Sequence, residues 1–217
     1  MSGLDQQVEY WNSTGVGKTF THPIEPSWLS RLDPGARILD YGCGYGRLVG
    51  ELHQRGFEAV EGVDLSPGLI TRAREQWPGM RFSVIDTPPA LSYPDESFDA
   101  VLLFAVLTCI PTDAGQRELV AELRRLLRPG GLLYLSDMCV QDDERNRARY
   151  EVFAAKYGVY GVYGVFETGD GAVCRHHEPG WIRGLLTGFD QVATREVPVR
   201  TMNGHPATIT QFLARKP

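Results

Sequence analysis

Carboxylates and glycines stand at the ends of apolar runs in this chain, and two histidines are adjacent, which are placements that could do chemistry. Asp40-Tyr41-Gly42-Cys43-Gly44-Tyr45-Gly46 puts three alternate glycines directly after the run that begins at Arg37. Lacking Cβ atoms, such a turn can bend sharply and let its backbone come close to a bound molecule. Asp64 follows Asp40 by 24 positions, near the ~20-residue spacing at which an acid closing a second strand accepts hydrogen bonds from ribose hydroxyls. Together they imply an adenosine-type ligand. The dinucleotide pattern G-x-G-x-x-G would need glycine at position 47, where Arg47 stands, so NAD is disfavoured. Gly15-Val16-Gly17-Lys18-Thr19 has the tail of a phosphate-binding loop, but Asn12 occupies the place of its first glycine and no strand precedes it, which sets ATP hydrolysis aside. Cys174, His176 and His177 could be imagined as metal ligands. Neighbours on an extended segment face opposite ways, however, and cannot easily share one ion, so no metal site is expected.

The elements that must hold these residues alternate short apolar runs with helical patterns, the mark of βαβ units on a parallel sheet. ARILDYG reads as strand one and FEAVEGVDLS as strand two, with a helix over Arg47 to Arg55 between them and Gly56 placed to end it. Ser66-Pro67 opens a second helix that runs to about Gln76. MRFSVID is strand three. FDAVLLFAVL, apolar throughout as a strand covered on both faces should be, is strand four. Thr112 or Asp113 caps the next helix, whose Leu119, Leu123, Leu126 and Leu127 share a stripe, and Pro129-Gly130-Gly131 is read as its end, before strand five, GLLYLSD. Phe189 to Val199 and Thr208 to Ala214 form a hairpin through Asn203-Gly204. The fold class is therefore α/β: a doubly wound, mostly parallel, Rossmann-like sheet of seven strands with an antiparallel C-terminal edge strand.

Two stretches fit no βα unit. The first, residues 1–36, is rich in aromatics (Tyr10, Trp11, Phe20, Trp28) and also holds His22. The second, residues 140–180, holds a charged helical stretch from Asp142 to Lys156 and then a Tyr-Gly-Val repeat from Tyr157 to Val165. There follows a short hairpin, with Phe166-Glu167-Thr168 and Ala172 to His177 flanking Gly169-Asp170-Gly171. Inserts of this length are usually functional or disordered. The glycines make this one pliable, and its tyrosines would line a substrate cavity or pack beneath a lid.

From Arg37 to Asp137 the chain resembles the class I S-adenosylmethionine-dependent methyltransferases, with the family's motifs in the family's order. ILDYGCGYGRL is similar to its first motif and GVDLS to its ribose-binding acidic motif. The stretch from Val84 through Ile110 resembles the segment that carries an acid beside the adenine and then strand four, and LRRLLRPGGLLYLSD its helix, turn and fifth strand. The resemblance implies that Asp40 with the backbone of Gly42, Cys43, Gly44 and Gly46 holds the methionine portion. Asp64, next to Leu65, would hold the ribose, Asp86 with Thr87 the adenine edge, and the Phe104 carbonyl the cofactor amine. It also implies a single methyltransferase domain over 1–217, in which 1–36 caps the site and 140–180 forms an acceptor lid.

Methyl transfer is a direct displacement on carbon, so the protein must chiefly align the acceptor and exclude water. A hydroxyl or ammonium acceptor must also lose a proton, for which histidine is a natural base. His176 and His177 are the candidates, at most one of them facing the pocket, with His22 as an outsider. The net charge of −5, from 27 acids against 22 bases, lacks the footprint of a nucleic-acid binder. Thr87-Pro88-Pro89-Ala90 follows strand three and lacks the aromatic of the tetrad that amino-methylating DNA enzymes carry after strand four. Metal-assisted catechol methylation would want acids after strands four and five, and only Asp137 is present. A small organic acceptor is expected, O-methylation ahead of N-methylation. No apolar run approaches the ~18 to 20 residues that span a bilayer, and the N-terminus has no export signal, so no membrane partner and a cytoplasmic location are expected. Two other classes stay open: a protein that binds the cofactor for regulation or for chemistry other than methyl donation, which would give no methylated product, and an NAD-dependent oxidoreductase, which would bind NAD.

Overall fold

The computed structural model describes residues 3–157 and 162–217, with side chains for 5–155 and 162–217. Short helices α1 (Gly3–Gln6), α2 (Val8–Asn12) and α3 (Pro26–Leu29) precede the sheet. Strands and helices then alternate: β1 (Ile38–Tyr41), α4 (Arg47–Gln54), β2 (Val60–Asp64), α5 (Pro67–Gln76), β3 (Arg81–Val84), β4 (Phe98–Phe104), α6 (Asp113–Leu126) and β5 (Leu127–Met138). Next come α7 (Glu144–Tyr157), the small strands β6 (Val165–Glu167) and β7 (Val173–Arg175), α8 (Pro179–Leu185), and the long strands β8 (Asp190–Arg200) and β9 (Pro206–Arg215).

Local chemistry sets several of these boundaries. The Ser66 hydroxyl accepts the Leu69 N–H at the start of α5, with Pro67 at the first helical position, and the Thr112 hydroxyl accepts the Gly115 N–H at the start of α6. Each satisfies one of the amides that a helix start leaves without a partner.

The seven-stranded sheet runs β3-β2-β1-β4-β5-β9-β8. The first five strands are parallel, and β9 lies antiparallel between β5 and β8. The antiparallel strand is thus the C-terminal one, as expected, but it sits one place in from the edge, which β8 occupies. Pro129-Gly130-Gly131 also takes a different place. The helix ends at Leu126 and the tripeptide lies inside β5, where the Gly130 N–H donates to the Lys216 carbonyl and the Lys216 N–H to that of Gly131. Pairing with the returning C-terminus draws these residues into the sheet.

Apolar side chains fill both faces. Ile38, Val49, Leu52, Ala73 and Leu102 are buried together on one, and Leu39, Val101, Leu103, Leu119 and Leu133 on the other. A separate cluster joins α7 to the β6–β7 hairpin through Tyr150, Phe153, Val165 and Phe166. The N-terminal segment is tied to that hairpin by a reciprocal pair of bonds, Gln7 Nε2 donating to the Val173 carbonyl (2.8 Å) and the Val173 N–H to Gln7 Oε1 (2.7 Å). Residues 158–161 of the Tyr-Gly-Val repeat lie outside the described residues.

Candidate active site

The carboxyl ends of β1, β2 and β4 open on a cleft of about 540 Å³ lined by Gly42, Gly44, Asp64, Leu65, Ile85 and Phe104, among others. Asp64 is nearly buried. Its two oxygens accept backbone N–H groups, Oδ2 from Gly44 (2.9 Å) and Oδ1 from Ser66 (2.8 Å), which fixes the plane of the carboxylate and leaves each oxygen further acceptor capacity. Burial pushes its pKa up to about 6 against the pull of those amides. Asp40 is almost fully buried at the end of β1, and its Oδ2 has no hydrogen-bond partner. Burial raises its pKa to about 7, with the Arg47 charge opposing and the Asp64 charge reinforcing.

Space explains the glycines as much as reach does. Gly42 and Gly44 have φ of 75° and 55°. A Cβ on Gly42 would lie 2.3 Å from Val106 Cγ2, and one on Gly44 2.7 Å from Phe20 Cε2, so these positions admit the loop after β4 and the N-terminal segment. Gly46 makes room for the Phe82 ring instead. Cys43 is buried among core residues, and the Gly42 and Cys43 amides both donate to the Val63 carbonyl. Neither Gly46 nor Cys43 lines the cleft. Asp86 and Thr87 are exposed and lie outside it, while Ile85, one residue earlier, is part of its wall.

A second cavity, of about 690 Å³, adjoins the first and shares Trp11, Phe20, Ala105 and Cys109 with it. Ala105, at the end of β4, has φ of 56°, a left-handed conformation that costs an L-residue about 1–2 kcal/mol. Such strain clusters at functional sites. Trp11 belongs to the aromatic N-terminal segment expected to cap the site, whereas sequence reasoning missed Ala105 and Ile85 as wall residues. The end of the β4 run was the signal for Ala105.

The three histidines diverge. His177 is fully buried away from both cavities. Its Nδ1 lies 3.0 Å from the Met138 carbonyl, which can only accept, and its Nε2 lies 2.9 Å from the Gln116 amide nitrogen, so both nitrogens are engaged. His176 lines the larger cavity, with Nδ1 2.6 Å from the Tyr150 hydroxyl and Nε2 3.5 Å from an Arg149 nitrogen. His22 also lines it, with Nδ1 3.0 Å from the Ser136 hydroxyl and 3.3 Å from its carbonyl. That bracket suits a proton on Nδ1 and leaves Nε2 as the basic nitrogen. Burial pulls the pKa of His22 and His177 down to about 4, and that of His176 well below its ordinary value. Among the described residues, no three His, Cys, Asp or Glu side chains converge as a metal site would need, and no helix is long and apolar enough to cross a membrane.

An apolar cleft with one carboxylate free to accept, backed by a second carboxylate whose Oδ2 is unsatisfied, fits a nucleoside that carries positive charge and no phosphate. Sheet order and site define a class I S-adenosylmethionine-dependent methyltransferase fold, with S-adenosylmethionine as its cofactor. Residues 38–131, somewhat under half of the chain, match the family model described as a methyltransferase domain. In the solved structure of a S-adenosylmethionine-dependent methyltransferase from Methanosarcina mazei, 25% identical, the fold superposes with a TM-score of 0.81, covering 90% of this chain and 99% of that one. A 2-methyl-6-phytyl-1,4-hydroquinone methyltransferase of Synechocystis is 37% identical over 123 residues, which are 54% of this chain and 36% of that protein. A ubiquinone biosynthesis O-methyltransferase of Xanthomonas oryzae is 32% identical over 137 residues, 59% of this chain and 56% of that protein. The matches thus span about half or less of the length of these curated relatives. The family match also ends at residue 131, before Met138 and the later residues that wall the larger cavity.

Proposed function

We propose that the chain transfers the methyl group of S-adenosylmethionine to a small organic acceptor held in the larger cavity, with oxygen the favoured methylated atom. The observation that carries this reading is the junction of the two cavities at Ala105, Cys109, Trp11 and Phe20. An acceptor on one side of it can meet a methyl group presented from the other, at the roughly 3–3.5 Å that a displacement requires. When bound, the cofactor supplies an electrophilic methyl group on a sulfonium. Asp64 accepts the two ribose hydroxyls. Leu65 and Ile85 take the adenine faces, a role that passes over exposed Asp86 and Thr87, and Gly42, Gly44 and the Asp40 charge hold the methionine end. Phe104 closes the cleft beside them. His22 takes the acceptor proton on Nε2, and His176 belongs to the cavity wall. Residues 1–36 and 140–180 fold over this site as parts of one catalytic unit, with Trp11 and Phe20 excluding water.

The preference for oxygen is supported by the Xanthomonas relative, which is named as an O-methyltransferase. The test is incubation of the purified chain with methyl-labelled S-adenosylmethionine and a panel of phenols, carboxylic acids and amines, following labelled product and S-adenosylhomocysteine together. Label in a small acceptor is expected. Tight S-adenosylhomocysteine binding with no transfer to any acceptor would favour a binding protein instead.

A further inference from the structure

Among the described residues the larger cavity is lined by Arg145, Arg149 and Arg200 and by no aspartate or glutamate, in a chain whose net charge is −5. Its remaining walls are mostly aromatic, sulfur-bearing or small, Phe20, Phe166 and Met138 among them. Arg145 and Arg149 stand one turn apart on α7, where like charges repel. Among the described residues neither is in an ion pair, whereas Arg125, Arg175 and Arg195 each have a carboxylate within 2.8 Å. Asp143 feels the Arg145 charge from the start of α7, and Glu167 and Asp170 border an adjoining depression that Arg145 and Arg149 also line. Asp170 is engaged there by Lys18 at 2.6 Å and by the Thr168 hydroxyl at 2.5 Å.

Arg149 is held as a recognition group would be. Its guanidinium lies 3.5 Å from the centre of the Phe166 ring, which fixes its plane. Its Nε is shielded from water and has no hydrogen-bond partner, while its terminal nitrogens meet only neutral groups, the Tyr150 hydroxyl and, at 3.5 Å, His176 Nε2. Partial burial and the neighbouring Arg145 charge both work against its ionised form. The Arg149 Nε–H thus stands unpartnered beside a cavity whose other walls are mostly apolar. The fork of an arginine matches a carboxylate in two parallel hydrogen bonds.

We propose that the acceptor carries a carboxylate, held by Arg149 with Arg145 beside it, so that its nucleophilic atom points to the junction at Ala105 and Cys109. This rests on the methyl-transfer reading above. It narrows the acceptor to small hydroxy or amino acids with an apolar body.

The test is calorimetric titration of the full chain, saturated with S-adenosylhomocysteine, with 3- and 4-hydroxybenzoate, 4-hydroxycinnamate, their neutral amides, and phenyl phosphate. At least one acid should bind ten-fold or more tightly than its amide, and Arg149→Gln should abolish that preference while S-adenosylhomocysteine affinity stays unchanged, which also shows the variant is folded. Arg145→Gln, at an exposed position, should weaken the preference several-fold. Amides that bind as well as their acids, phenyl phosphate binding more tightly than every acid, no acid binding at all, or a preference that survives Arg149→Gln would each overturn the proposal. If S-adenosylhomocysteine binds and the acid preference is missing, this inference alone falls. If S-adenosylhomocysteine does not bind, the cofactor reading falls with it.

Discussion

Replacing Asp64 by alanine tests the cofactor cleft most directly. In the protein its oxygens are oriented by the Gly44 and Ser66 amides, at 2.9 and 2.8 Å, and each keeps capacity for one ribose hydroxyl. A hydrogen bond to a charged acceptor contributes about 1.5–3 kcal/mol. If water replaces one of the two lost bonds, the net loss is about 1.5–3 kcal/mol, a roughly ten- to 150-fold weaker affinity. Asp64→Asn should fall between wild type and alanine. Its amide keeps one acceptor oxygen, but its NH₂ must face either the Gly44 or the Ser66 N–H. The assay is calorimetric titration with S-adenosylhomocysteine at pH 8, where the wild-type carboxylate is ionised, with thermal unfolding of each variant as the check on folding. A folded alanine variant with unchanged affinity would refute the ribose assignment and the chemistry built on it.

The remaining predictions concern protons. His22→Gln should lower kcat by about 10²–10⁴ for a hydroxyl acceptor with S-adenosylmethionine affinity unchanged; a near-normal kcat would remove His22 as base. Stability of the unliganded protein should fall as pH rises from 6.5 to 8. Asp40 and Asp137, raised to about 7 by burial, hold protons in the folded state that the unfolded chain has already released. The lowered histidines His22, His176 and His177 act in the opposite sense, because the unfolded imidazoles, with pKa near 6.5, are still half protonated at the start of this window, and they offset much of the fall. The net loss over this window is about 0.5 kcal/mol, on the order of 1–2 °C in Tm. A Tm that instead rises by about 2 °C or more between pH 6.5 and 8, as the histidines alone would make it do, would show that these acids are not desolvated as described.

The elements legible in the sequence were those governed by local chemistry. Ser66 and Thr112 act as caps where side-chain type and the following residues foretold them, and the apolar run from Phe98 is the central strand. The position of Asp64 in the cleft was legible because an acid that closes a strand beside a glycine-rich turn must stand at the carboxyl edge of the sheet. What stayed hidden depends on contacts between distant segments. Gly46 and Cys43 sit in the glycine-rich turn like their neighbours, yet they answer to Phe82 and to the core beneath the sheet. Alternation placed His176 and His177 on opposite faces without saying which face was inside; the Met138 carbonyl and Gln116, far along the chain, decide that. The β9 position, one place in from the edge, is likewise a matter of pairing between strands that no local pattern encodes.

Lys18 bridges Asp170 and Asn203 at 2.6 Å each, and the Tyr10 hydroxyl donates to Asp170 at 3.3 Å, so the N-terminal segment, the β6–β7 turn and the β8–β9 turn meet through side chains at one point. The cofactor cleft, by contrast, is walled mainly by the ends of strands that many backbone bonds hold in place. Each polar tie at the meeting point contributes little alone, about 1 kcal/mol or less near the surface. The two halves of the reaction chamber therefore rest on supports of very different strength. Substitutions in the three converging segments can reshape what is accepted while the methyl-donor half keeps its geometry, so one catalytic frame can be inherited whole while its choice of acceptor drifts.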